Sequence, residues 1–166
     1  MPFGELLKQH RIGVTLVAFH RERLTSTRTS GVIRQFSKRL ILVELFGEAR
    51  HETGFTLIRR DDLTRLDANT ATLRRSLPKS GSVARSHPIT REIDLTEWRT
   101  AIASAQVVAS SLALHREGVG DPITLAAPSI KLFKHLVIGN RPESDLAEDG
   151  EFALALDHIT RIDLVN

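Results

Sequence analysis

The feature that most constrains this chain is that it repeats itself. Ala18-Phe19-His20-Arg21-Glu22 returns as Ala113-Leu114-His115-Arg116-Glu117, 95 residues on. Asp61-Asp62-Leu63-Thr64-Arg65-Leu66-Asp67 returns as Asp157-His158-Ile159-Thr160-Arg161-Ile162-Asp163, 96 residues on. Nearly the same spacing sets Lys38 against Lys134, Leu40-Ile41-Leu42 against Leu136-Val137-Ile138, Gly54 against Gly150, Phe3 against Trp98 and Leu7 against Ile102. A near-constant offset held across loops and apolar runs is the mark of a duplicated structural unit. The chain therefore reads as two copies of one small domain, residues 1–68 and 94–166, joined by a connector over residues 69–93.

Each copy has the same outline. A short helix comes first: Phe3, Leu6, Leu7 and His10 share one face, and Gly13 is a natural stop. In the second copy Asp94, with Glu97 three residues on, predicts a capping box ahead of an apolar stripe of Trp98, Ala101, Ile102, Ala105 and Val108. Strands follow. Residues 14–19 and 32–36 are rich in β-formers, and residues 40–46 are nearly all apolar, as suits a strand central to a sheet. Residues 55–58 predict a fourth strand, Arg60-Asp61-Asp62 a polar turn, and residues 63–66 a fifth strand. Gly118-Val119-Gly120-Asp121-Pro122 predicts a hairpin connection. A helix followed by five short strands points to a bent sheet that closes as a small barrel, so the fold class is mainly β, with two tandem barrels. The connector, with Ser76, Pro78, Gly81 and Pro88 among Arg74, Arg75, Lys79, Arg85, His87 and Arg91, reads as a basic linker.

Composition bounds the function. No apolar run approaches the length of a membrane span, the amino terminus lacks a signal peptide's continuous apolar core, and there are no cysteines, so the expected setting is the cytoplasm. Charge is split: residues 1–92 carry 17 Lys and Arg against 9 Asp and Glu, whereas residues 93–166 carry 6 against 11. The basic half suits a polyanion, and the two halves also suit each other. The repeated His-Arg-Glu at 20–22 and 115–117 offers histidines that could hold a metal or move protons, but a polar strand end copied by duplication explains it without chemistry. The acidic stretch of Glu143, Asp145, Glu148, Asp149 and Glu151 lacks a calcium loop's glycine placement. No nucleophile elbow, phosphate-binding glycine loop or zinc motif is present, so no enzyme, metal or cofactor is expected.

The first copy also carries local motifs. Gly31-Val32-Ile33-Arg34-Gln35-Phe36-Ser37 resembles the first motif of the Sm-like family, in which glycine opens the second strand and an aromatic precedes an acidic residue. Gly54-Phe55-Thr56-Leu57-Ile58-Arg59-Arg60-Asp61 resembles the second. The likeness covers residues 3–67 and reaches 96–166 through the repeat. It implies Sm-like or SH3-like barrels of five strands, each led by a short helix, that join edge to edge into oligomers and hold single-stranded RNA at Ser37, Lys38, Arg39, Arg59, Arg60 and Asp61. The chain departs from the family pattern at four points. Ser37 stands where the pocket aspartate is expected, Lys38-Arg39 replace the segment that ends in the pocket asparagine, Arg60 replaces a glycine, and the second copy has Ala155-Leu156 where the arginine belongs. Two expectations follow: an adaptor that binds RNA through the first copy's basic loops, or an assembly module that uses strand edges, Thr64 and Arg65 included.

Overall fold

In a computed structural model of the chain, the residues described are 4, 5, 7, 16–46, 53–68, 92–142 and 150–166. Among them lie strands β1 (Leu16–His20), β2 (Thr29–Phe36), β3 (Leu40–Phe46), β4 (Thr53–Arg59) and β5 (Arg65–Ala68), then helix α1 (Trp98–Val108). Strands β6 (Ser111–His115), β7 (Ile123–Ala126), β8 (Lys131–Leu132), β9 (Leu136–Asn140), β10 (Glu151–Ala155) and β11 (Arg161–Val165) complete the set. Eight strands form one sheet in the order β5-β1-β2-β3-β4-β11-β6-β7, and three form a second, β10-β9-β8. The protein is mainly β, as the sequence predicts.

The duplication reappears as duplicated pairing. His20 sits opposite Arg65 as His115 sits opposite Arg161. Leu40 faces Arg59 as Leu136 faces Ala155, and Phe36 faces Ile41 as Leu132 faces Val137. Single turns of 3-10 helix, Arg60–Asp62 and Leu156–His158, close the fourth strand of each copy. The copies differ in their second strand. β2 runs unbroken through an irregularity between Ile33 and Gln35. Its counterpart is interrupted by the 3-10 turn Ala127–Ser129, which splits it into β7 and β8 and separates the two sheets. Pro128 has no N–H to give a ladder, so the break falls where the sequence cannot continue pairing. The connection after β6 turns at Gly118, whose φ of 84° lies in the left-handed region that glycine enters without a Cβ penalty.

Packing explains the apolar run at residues 40–46. Alternate residues of a strand point to opposite faces. Ile41 and Val43 join Leu7, Val17, Phe19, Ile33, Ile58 and Leu63 in one buried cluster. Leu40 and Leu42, with Phe55 and Leu57 of β4, belong to a second cluster that also holds Trp98, Ala101, Ile102 and Ala105 of α1. The second copy's helix thus shares a core with the outer face of the first copy's sheet, and β3 is apolar on both sides because both are buried.

The helix starts one turn later than Asp94 predicts. Glu97 is the N-cap, and it exchanges side-chain and backbone hydrogen bonds with Thr100. Asp94 Oδ1 instead accepts from the Thr96 backbone N–H at 2.9 Å and hydroxyl at 2.6 Å. Leu7 is helical and buried, whereas Phe3, Leu6, His10 and Gly13 lie outside the described residues, as do 69–91 of the connector and the acidic 143–149. Ile93, read as connector, is buried in the shared core. Among the described residues no helix is long and apolar enough to cross a membrane.

Candidate functional site

Besides the shared core, the two copies meet along a strand seam. Residues 161–164 of β11 pair antiparallel with β4, Arg161 opposite Ile58 through Leu164 opposite Phe55. Side chains reinforce this ladder. Thr56 Oγ1 lies 2.6 Å from Asp163 Oδ1 and 3.2 Å from the Ile162 carbonyl. Arg59 Nη2 donates to the carbonyls of Asp157 at 2.9 Å and Ile159 at 2.7 Å.

A second tie crosses the seam at the repeated His-Arg-Glu. Arg21, 1% exposed, grips Glu117 through both terminal nitrogens, Nη2 to Oε1 at 2.6 Å and Nη1 to Oε2. Glu117 also accepts from Arg161 Nη1 at 3.3 Å and Thr160 Oγ1 at 3.1 Å. A two-pronged guanidinium–carboxylate pair fixes orientation as well as charge. The histidines do not meet. His20 Nε2 lies 3.0 Å from Asp67 and His115 Nε2 lies 2.7 Å from Asp163, each within its own copy. Burial works against the ionised Asp163, but the His115 hydrogen bond, the Arg161 charge and the Thr56 hydroxyl together hold its carboxyl down at about 2. Among the described residues no group of three or more His, Asp or Glu is arranged to hold a metal.

The loops that carry the predicted RNA residues do come together. Arg60 donates its backbone N–H to the Arg39 carbonyl at 2.8 Å and its Nη1 to the Ser37 carbonyl at 3.3 Å. Ser37 is a turn residue. Its hydroxyl accepts from the Arg39 and Leu40 backbone at 3.0 Å each and donates to Leu95 O at 2.7 Å. Lys38 is exposed. Of the six predicted residues, Arg39, Arg59 and Asp61 line a cleft of about 790 Å³ whose other walls include Trp98, Arg99, Lys134, His135 and Asp157. Lys134-His135 and Leu156-Asp157 stand in the repeat where Lys38-Arg39 and Arg60-Asp61 stand in the first copy, so matching loops of both copies face one space. Four permanent cations (Arg39, Arg59, Arg99 and Lys134) outnumber the carboxylates Asp61, Glu97 and Asp157 there, and the buried Trp98 Nε1 has no partner among the described residues.

Reading the first copy alone missed the second copy's share of this cleft. It also missed Arg21 and Glu117, although the repeated motif marked the positions. No protein-family model, curated protein or solved structure matches the chain.

Proposed function

We propose that the chain is a cytoplasmic, non-enzymatic assembly protein of the Sm-like kind, two small helix-led barrels that associate through strand edges. The observation that carries this reading is the β4–β11 ladder, in which the fourth strand of one copy takes the last strand of the other. An unpaired strand edge is a template for another strand, and this chain uses one such pairing to join its own halves. The partner is further copies of the chain. Light scattering coupled to size exclusion tests the reading: the expected mass is two or more times 18.5 kDa, and a single-chain mass at every concentration would end it.

The cleft supports a second reading, an adaptor that holds single-stranded RNA. Phosphates would neutralise Arg39, Arg99 and Lys134, and an exposed base could stack on a guanidinium. Arg59 suits the assembly reading better than RNA contact, because its guanidinium bonds two carbonyls across the seam. Fluorescence anisotropy with a labelled uridine-rich or adenine-rich strand should show binding that weakens with salt and falls at least tenfold in Arg39→Ala/Lys134→Ala. No binding at low salt would discard the RNA reading and leave assembly standing.

A further inference from the structure

The chain carries one turn twice, and the two versions have opposite surfaces. Residues 37–40 and 133–136 hold the same place in the repeat and close in the same way, the first residue's N–H donating to the fourth residue's carbonyl at 2.8 Å in each. In the first copy the turn is covered: the Ser37 hydroxyl donates to Leu95 O at 2.7 Å, and Leu40 is 1% exposed. In the second copy it is bare, and it is more apolar rather than less. Phe133 replaces the serine at 50% exposure, and Leu136 is 40% exposed. Among the described residues these are the two exposed large apolar side chains that share a turn.

We infer that the turn over residues 133–136 docks on an anionic lipid surface, with Phe133 and Leu136 entering the interface and Lys131 and Lys134 meeting the headgroups. Such docking requires neither assembly nor RNA binding. Charge complementarity selects the partner. Lys131 stands where the first copy has Gln35, Lys134 adjoins Phe133, and both lysines are exposed. The cleft that Lys134 lines adds Arg39, Arg59 and Arg99 against Asp61, Glu97 and Asp157, so its sign is also positive. Apolar side chains framed by lysines suit an acidic bilayer face, where the rings and methyls leave water while the ammonium groups stay among the headgroups.

The other occupants fit less well. Lys131, Phe133, Lys134, His135 and Leu136 are all exposed, so the segment projects from the surface and offers no groove to a folded partner's side chain. A bilayer interface yields around such a tip. A further copy cannot cover this turn as Leu95 covers the first, because a phenyl ring stands where the serine hydroxyl would donate its bond. A single-stranded RNA would stack on Phe133 but would leave Leu136 without a role. Two apolar anchors and a few cations make the attachment shallow, reversible and weaker as salt rises.

The test is co-sedimentation of the full-length protein with vesicles of phosphatidylcholine, alone or mixed with phosphatidylglycerol, for wild type, Phe133→Ser and Lys131→Glu. Wild type should bind the mixed vesicles at low salt, leave them as salt rises and ignore the neutral ones. Phe133→Ser, which installs the first copy's residue, should weaken binding at least tenfold, and Lys131→Glu should weaken it severalfold. Both positions are exposed, so thermal unfolding should not change in either variant. Phe133→Trp reports insertion: its emission should move to the blue on mixed vesicles, over the steady background of the buried Trp98. Mixed vesicles left unbound at low salt overturn the inference, as does binding that ignores Phe133→Ser or brings no blue shift. Unbound vesicles together with an RNA affinity that falls in Phe133→Ser would assign the turn to RNA and discard lipid docking.

Discussion

Arg21 is the residue on which the internal seam turns. Removing one member of a buried ion pair leaves the other uncompensated, so Arg21→Ala should cost about 3 kcal/mol in urea unfolding. Arg21→Met/Glu117→Leu should cost much less, because no charge is then stranded. Asp163 gives the seam its acid limit. Its carboxyl is held near 2, against about 3.9 in an unfolded chain, so its contribution is complete above about pH 4 and is lost as pH falls towards 2. That contribution is roughly 2 kcal/mol by linkage. Unfolding free energies measured from pH 7 to pH 2 should fall more steeply below pH 4 in wild type than in Asp163→Asn. Neither residue's role was legible in the sequence. His20-Arg21-Glu22 and its copy were visible, but contacts spanning 96 residues depend on which edges meet.

At the scale of elements, more could be read. The strand over 40–46 and the stripe on α1 were legible because burial dictates their residue types directly: β3 is buried on both faces, and Trp98, Ala101, Ile102 and Ala105 make one covered face. Glycine at 31 was legible as a motif position, and its physical reason lies in β2–β3 packing, where an added Cβ would collide with the Glu44 carbonyl. Gly31→Ala should lower stability by about 1–3 kcal/mol, as forced overpacking does, measurable by thermal unfolding. Leu42→Ala should cost about 2–5 kcal/mol, since it opens a void beneath α1. The start of α1 was misread by one turn. Asp94 and Glu97 have capping-box spacing, but so do Glu97 and Thr100, and Asp94 is drawn into a local turn with Thr96.

For the whole molecule, the boundary between copies in the sequence is not a boundary in the core. Leu40, Leu42, Phe55 and Leu57 lie in the first copy, yet their cover comes from the second. Residues 1–68 produced alone should therefore expose that face, bind a hydrophobic dye and aggregate, whereas the full chain should not. A first fragment that stays monomeric and unfolds cooperatively would contradict the shared core. The internal ladder also bears on arithmetic. Because every chain brings its two copies already joined at β4 and β11, any closed assembly of these chains holds an even number of copies. Rings of five or seven copies are barred by parity, however favourable their curvature.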